Sequence, residues 1–237
     1  MKEVEGTVDR IYGFHPVVEA LKNPRRKLIR LLATKNAGDR ITSKIKPEII
    51  LPKILDHLVG GDAVHQGLVL DARPLDQPRL DQVERKGLIL LLDQVTDPHN
   101  VGAIMRSAAA FGVTALVTTA RHSAETSGVL FKAASGAYEH VPYVKVTNLA
   151  RAIAELKEYG FYIIGLDSEA QIPIEAVAVA PPVALVVGAE GKGLRQLTQK
   201  SCDALARIDM PGAIKSLNVS NAAAVALYAL GRRPRVV

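Results

Sequence analysis

The sequence predicts an α/β protein, with a mostly parallel sheet in its C-terminal two thirds and a small α/β domain ahead of it. Three observations carry this. Short apolar runs alternate with helical patterns along most of the chain. Hydrophobic residues make up 48% of the 237 residues but aromatics only 4%, with no Trp, so the core must be built from Val, Leu, Ile and Ala. Such a composition suits buried strands covered by helices. Finally, ARPLDQPRLDQVERKG (72–87) is polar, carries Pro74 and Pro78, and interrupts the alternation as a linker does. The expected organisation is a small domain over 1–72, a linker over 73–87 and a second domain over 88–237.

In chain order, YGFHPVVEALK (12–22) reads as a short amphipathic helix with Val17, Val18 and Leu21 on one side, and KLIRLLAT (27–34) as a strand. KPEIILPKILDHLV (46–59) has helical apolar spacing, and QGLVLDA (66–72) reads as a second strand. Beyond the linker, LILLLD (88–93) is a continuous apolar run of the kind found in buried parallel strands. NVGAIMRSAAAFG (100–112) is helical and stops at Gly112. ALVTT (115–119) is a strand, TSGVLFKAA (126–134) a helix and YVKV (143–146) a strand. NLARAIAELKEYG (148–160) is a helix with an Asn N-cap and a Gly stop. FYIIGLD (161–167) and PVALVVGAE (182–190) are apolar strands, followed by GLRQLTQKSC (193–202), ALARI (204–208) and an Ala-rich helix over about 219–230.

Thirty Lys and Arg against 24 Asp and Glu give a net charge of +6, a mild bias that permits an anionic partner. The excess leans to the N-terminal part, where Arg25, Arg26, Lys27 and Arg30 form the densest cluster. Cys202 is the single cysteine, so no intrachain disulfide forms. MKEVEGTVDR lacks the apolar stretch of a signal peptide, and no window of 18 uncharged apolar residues occurs, so a cytoplasmic protein is expected. The six histidines form no HExxH or closely spaced set, so no metal is expected; there is no GxSxG elbow and no aromatic-rich RNA-binding signature.

In parallel α/β sheets ligands bind beyond the carboxyl ends of the strands, and three unusual stretches lie there. DQVTDPHNVGAIMRSAAAFG (93–112) opens a helix whose first amides can hold an anion, with Arg106 six positions after Asn100. VVGAEGKGL (186–194) has the spacing GxxGxG, which is neither the dinucleotide fingerprint GxGxxG nor the phosphate loop GxxxxGK[ST]. It is either a tight strand-to-helix turn or a loop that admits a ligand close to the backbone, and Glu190 between two glycines favours the second. IDMPGAIKSLNVSNAAAVALYAL (208–230) places Ser216, Asn218, Ser220 and Asn221 before a helix, more polar side chains than one cap requires.

Taken together, DPHNVGAIMRSA (97–108), LVVGAEGKGL (185–194) and IDMPGAIKSLNVSNAAAVALY (208–228) resemble the ordered motifs of the SpoU family of RNA ribose 2'-O-methyltransferases, over essentially all of 88–230. YGFHPVVEAL (12–21) and HQGLVLDA (65–72) resemble the small substrate-binding domain of many members. VPYVKVTNLARAI (141–153) looks closest to the branch that methylates a guanosine of large-subunit ribosomal RNA. The resemblance implies a C-terminal domain tied in a trefoil knot, a homodimer, S-adenosylmethionine as cofactor, and 23S ribosomal RNA or a precursor particle as partner. It implies cofactor contacts at Leu166, Val187, Gly188, Gly191, Ile208, Met210, Leu217 and Asn218, and catalytic roles for Asn100, Arg106, Glu190, Ser216 and Asn218. Arg25, Arg26, Lys27 and Arg30 are the expected phosphate contacts. The third motif departs from the family pattern at Asp209, Lys215 and Asn221. Transfer RNA as substrate, or an RNA-binding assembly protein that has lost the reaction, are the alternatives; a dinucleotide oxidoreductase fails on the glycine spacing.

Overall fold

The computed structural model describes residues 7–178 and 180–231. Its first sheet is built from β1 (Asp9–Tyr12), β2 (Leu28–Ala33), β3 (Glu48–Ile49) and β4 (Leu68–Ala72), in the order β1-β4-β2-β3. Strand β4 runs antiparallel to both of its neighbours, while β2 and β3 are parallel. Helices α1 (Phe14–Lys22), α2 (Lys35–Gly38) and α3 (Pro52–Val59) complete this small unit. Asp71 on central β4 stands opposite Arg10 on β1 and Arg30 on β2 in the strand register, and its carboxylate accepts from both guanidiniums at 2.8 Å.

The second sheet holds β5 (Leu88–Asp93), β6 (Val113–Thr119), β7 (Tyr143–Val146), β8 (Tyr162–Leu166), β9 (Ile172–Pro173), β10 (Val183–Gly188) and β11 (Ala204–Arg207). Its order is β7-β6-β5-β10-β8-β11-β9, and every pairing between these strands is parallel. The interleaved helices are α4 (Pro98–Ala110), α5 (Gly128–Ala134), α6 (Leu149–Glu158), α7 (Gln196–Ser201) and α8 (Val219–Gly231). The chain steps outward from β5 to β7, then returns to build the other half, so β5 and β10 meet where the direction of winding reverses. Crevices at such points are where open α/β sheets take ligands.

Both faces of the large sheet are buried, which explains why β5 reads as an unbroken apolar run. Leu90, Leu92, Leu116 and Leu185 face Val101, Ile104, Met105, Leu130, Ala223 and Leu227 of α4, α5 and α8. Ile89, Leu91, Val117 and Val186 point the other way, beneath Leu149, Ile153 and Leu156 of α6. The first of these cores continues without a break into Ile11, Val17, Leu31, Leu68 and Leu70 of the small unit. No helix among the described residues is long and apolar enough to cross a membrane.

Three local readings change. Strand β1 lay inside and just ahead of the segment read as helix 12–22; Gly13 ends the strand, and the helix begins at Phe14. Strand β3 lay inside the segment read as helical, and Pro52 at its first turn is what starts α3. The segment 73–87 is laid down on the protein rather than loose: Leu75 and Leu80 are buried in the two different cores, and the Gln77 side chain accepts from the backbone N–H of Tyr143 at 2.9 Å. Two leucines five positions apart among charged residues make no apolar run, so sequence patterning did not expose them.

Helices α4 and α5 cross so closely at Gly102 that a Cβ there would lie 2.5 Å from the Ala133 Cβ and 2.7 Å from the Leu130 carbonyl oxygen. Gly102→Ala is therefore expected to destabilise the fold by about 1–3 kcal/mol in urea unfolding, the usual cost of overpacking; an unchanged midpoint would show that the crossing is looser. Burial pushes the Asp71 carboxyl up, but Arg10 and Arg30 outweigh it and hold it below its ordinary value. A depressed folded-state value means stability that is present above the unfolded value and lost as pH falls through the folded one. Asp71→Asn should thus be less stable than the parent at neutral pH, with the gap closing below about pH 4; a gap that persists undiminished in acid would contradict the pairing.

Candidate active site

Beyond the carboxyl ends of β8, β10 and β11 lies a cavity of about 230 Å³. Leu166 and Asp167 come from the end of β8, Val187 and Gly188 from the end of β10, and Ile208 and Met210 from the segment after β11. Glu190, Gly191 and Gly193 line it from the glycine loop, and Lys215, Ser216 and Leu217 from the turn before α8. Seven of the eight residues expected to touch the cofactor thus border one cavity, as do Glu190 and Ser216 from the expected catalytic set.

The glycine loop is shaped by a backbone crossing. After Gly188 the chain turns, and the Gly193 N–H donates to the Ala189 carbonyl at 2.9 Å. A Cβ on Gly188 would stand 2.1 Å from the Gly193 carbonyl carbon, closer than any side chain permits, so the two backbones are in direct contact. Just past the crossing, Arg195 clamps the loop to the neighbouring strand. Its Nε donates to Asp93 Oδ1 at 2.7 Å and its backbone N–H to Asp93 Oδ2 at 3.0 Å. Asp93 has no exposed surface and is the strand-register partner of Gly188.

The third motif joins this loop through Asn218. Its Oδ1 caps α8 by accepting from the Ser220 N–H at 2.9 Å and the Ser220 hydroxyl at 2.6 Å, while its Nδ2 donates to Glu190 Oε2 at 3.3 Å. Asn218, the eighth expected cofactor residue, does not itself border the cavity; the side chain that caps α8 is the one that reaches Glu190 on its lining. Lys215 closes the turn by donating from Nζ to the Met210 carbonyl at 2.6 Å. Asp167 is engaged at both oxygens, by the Glu169 N–H and by Gln199 Nε2.

The first motif sits apart from the cavity lining. Helix α4 starts at Pro98, two residues before the expected position, because Asp97 supplies the N-cap and accepts from the His99 N–H at 2.9 Å. Asn100 is half-buried in its first turn; Arg106 is exposed, and its side chain makes no hydrogen bond or ion pair with any described residue. Six residues of helix turn the chain through 600°, so these two side chains do not share a face.

The N-terminal basic cluster divides. Arg25 and Lys27 are exposed, and Arg30 is partly exposed while paired with Asp71. Arg26 does not belong to a phosphate-binding surface: its side chain is wholly buried and paired with Asp9 and Glu139. A run of basic residues does not say which of them points inward. Sequence reasoning also passed over Asp93, Asp167, Arg195 and the contact of Lys215; the available signal was an aspartate ending each of two apolar runs, LILLLD and FYIIGLD.

Chemically, the cavity offers an apolar wall (Leu166, Val187, Ile208, Leu217), close backbone approach at the glycines, and polar groups at one rim (Glu190, Lys215, Ser216). That combination suits a nucleoside-like ligand with a charged tail. Its volume lies a little below the roughly 300–1,000 Å³ common for small-molecule sites, and one wall is the exposed 211–217 turn. No group of three or more His, Cys, Asp or Glu among the described residues could hold a metal ion. Burial pushes the Cys202 thiol up to about 12, which leaves it unreactive as a nucleophile.

Comparison with known proteins gives a consistent result. Residues 87–228 match the model of the SpoU rRNA Methylase family, and residues 10–78 match that of RNA 2'-O ribose methyltransferase substrate binding. The chain is similar to the 23S rRNA (guanosine-2'-O-)-methyltransferase RlmB of Yersinia pestis, with 38% identity over 94% of this chain and 96% of the relative. The protein of the same name from Ralstonia nicotianae is also 38% identical, over 96% of each chain. Among solved structures, the SpoU methyltransferase AviRb from Streptomyces viridochromogenes, in complex with its cofactor AdoMet, superposes with a TM-score of 0.78 at 24% identity, covering 94% of this chain and 89% of that one.

The crossing at Gly188 yields a direct expectation. Gly188→Ala must push the 189–193 loop outward, and should weaken S-adenosylmethionine binding by isothermal titration at least about tenfold while leaving urea stability within about 1–2 kcal/mol of the parent. Undiminished binding would mean that the loop geometry does not shape the cavity.

Proposed function

The chain belongs to the SpoU rRNA methylase family, and from that premise we propose that it transfers a methyl group from S-adenosylmethionine to the ribose 2'-oxygen of a guanosine in 23S ribosomal RNA. The observation that carries the proposal is the convergence of the second and third motifs on one cavity at the carboxyl edge of the parallel sheet, in a chain that matches relatives of that activity over nearly its whole length. We assign the cofactor to Leu166, Val187, Gly188, Gly191, Ile208, Met210 and Leu217, with Asn218 holding the rim through Glu190. When bound, S-adenosylmethionine supplies a methyl carbon already activated by its sulfonium, so the protein's task is to align and deprotonate the nucleophile.

The 2'-oxygen would lose its proton as it took the methyl group, the cofactor's carbon–sulfur bond breaking with its electron pair left on sulfur. Arg106 is our candidate for supporting that oxygen as the proton leaves. A guanidinium stays protonated, so its physically easier role is electrostatic: it holds the RNA phosphate and stabilises charge growing on the 2'-oxygen, while the proton leaves through that phosphate or water. Asn100 orients the nucleotide, and Glu190, Ser216 and Asn218 shape the joint substrate and cofactor surface. Arg25 and Lys27, with Arg30 as a secondary contact, provide salt-sensitive grip on the RNA backbone. The functional division is a small RNA-gripping domain over 1–72, a connecting segment over 73–87 and a methyltransferase domain over 88–237, knotted as the family implies.

We further infer a homodimer acting in the cytoplasm. Phe111 after α4 and Tyr228 on α8 meet edge-on with ring centres 6.2 Å apart, and Val225 lies one turn before Tyr228; all three are exposed, a surface suited to a second copy. The transfer RNA alternative draws on a solved TrmH/SpoU tRNA modifying enzyme of A. aeolicus, 31% identical with a TM-score of 0.55, but that match covers only 65% of this chain, against 94% and 96% for the two ribosomal RNA relatives.

Tritiated methyl transfer to unmodified 23S ribosomal RNA and, separately, to unmodified transfer RNA tests this. Label confined to one guanosine ribose of the 23S RNA is expected, with Arg106→Ala lowering kcat by about 10²–10³ while cofactor affinity stays within about twofold. Label on transfer RNA alone would move the substrate assignment. No label on naked RNA or on precursor particles, despite cofactor binding, would replace catalysis with a binding role.

A further inference from the structure

Arg26 lies between α1 and β2, and its guanidinium is fully enclosed. Nη1 donates to Asp9 Oδ2 at 2.6 Å and to the Arg73 carbonyl at 2.9 Å. Nη2 donates to Glu139 Oε1 at 2.7 Å, and Nε is shared between both Glu139 oxygens at 3.1 and 3.2 Å. The cation also lies 5.7 and 5.6 Å from the ring centres of Phe131 and Tyr138. Asp9, Arg26 and Arg73 belong to the small domain or its exit, whereas Phe131, Tyr138 and Glu139 belong to the large one.

The surroundings reinforce the same junction. Asn23 Nδ2 donates to Glu139 Oε2 at 2.7 Å, Lys132 Nζ to Gln66 Oε1 at 2.8 Å, and His140 Nε2 meets Glu19 Oε2 at 2.9 Å. Every one of these contacts joins the two domains. An apolar contact would tolerate sliding; a fork of donors matched to two carboxylates and a carbonyl does not. Buried ion pairs of this kind add little to stability over a well-packed apolar substitute. What this one adds is a defined orientation.

We propose that Arg26 is a positioning residue, whose buried clasp with Asp9 and Glu139 holds the small domain on the methyltransferase domain of the same chain in one orientation and so fixes the offset between RNA grip and methyl-transfer site. The proposal rests on the methyltransferase reading for its consequence, and on the contacts above for the clasp itself. Presentation of RNA is then set by a side chain that never touches RNA.

The test uses the full-length chain in a Cys202→Ser background, with spin labels at exposed Lys53→Cys and Glu158→Cys, one in each domain. Pulsed electron resonance should give a single narrow distance distribution for the parent and a broad one for Arg26→Met. The same variant, without labels, should show a KM for 23S ribosomal RNA raised about tenfold, with kcat at saturating RNA and cofactor affinity each within about threefold. Arg26→Lys, which keeps the charge and loses the fork, should fall between. If Arg26→Met does not fold, Glu139→Gln is measured in the same way. A narrow distribution in the variant overturns the clasp, and a broad one with unchanged RNA KM overturns its positioning role. A parent chain that transfers no methyl group sinks the functional reading alone, and the distance distribution still decides the clasp.

Discussion

The cavity exists because two stretches of backbone touch at Gly188 and Gly193, and that contact holds because Asp93 will not let Arg195 go. A carboxylate with no exposure must be paired, and the two nitrogens it accepts from both belong to the residue that ends the glycine loop. Removing either partner would leave a buried charge or free the loop. The crossing brings the loop back across the end of β10, and this return carries Glu190 to within reach of Asn218 on the turn before α8. Strand ends, glycine loop and helix cap are thereby made into one surface from elements that are far apart in sequence.

Arginine performs a second joining task at the other end of the molecule, by the same physics. Arg195 fixes a loop to a strand, and Arg26 fixes a domain to a domain; in both, the guanidinium meets a carboxylate that water cannot reach. Asp9 shows what such burial costs. Its carboxyl is pushed up by desolvation more than Arg26 draws it down, so the pairing is sustained by the surrounding structure as much as it sustains it. The shared apolar core beneath the junction supplies the adhesion, and the ion pairs select one arrangement among those the adhesion would allow.

How much of this was legible in the sequence depended on whether a feature is periodic. Strands β5, β8 and β10 fell within a residue or two of their readings, because a strand buried on both faces is a nearly uninterrupted apolar run bounded by turns; β7 and β11, less buried, were legible as short apolar segments between turns. Helix α6 was legible from its Asn cap, which accepts from the Arg151 N–H as expected. Strands β1 and β3 were not: both are short, β1 lies almost wholly ahead of the segment with helical spacing that begins at Tyr12, and β3 is embedded in another such segment. The residues that line the cavity were legible only as motifs; spacing and composition offered a glycine-rich turn and surplus polar residues, and nothing in them foretold the Gly188 crossing. Arg26 was misread because charge patterning counts residues along the chain, whereas burial is decided by what folds over them.

These distinctions separate several arginines that already have an internal carboxylate from others that do not. Arg10, Arg26, Arg30 and Arg195 are matched to carboxylates of this chain, and Arg207 to Asp209 and two backbone carbonyls. Their charges are already answered, so an RNA phosphate would have to compete with an intramolecular partner to reach them. Arg106, like Arg121 and Arg151, is exposed with no side-chain hydrogen bond or ion pair among the described residues; what sets it apart is its place on α4, in the first motif and on a helix otherwise rich in alanine. A cation kept free of internal partners keeps its whole electrostatic capacity for an incoming anion. On the reading proposed above, its separation from the cavity lining leaves it for the RNA rather than for the cofactor. On the same reading, the polar rim of Glu190, Ser216 and Lys215 is the boundary at which substrate and cofactor would meet.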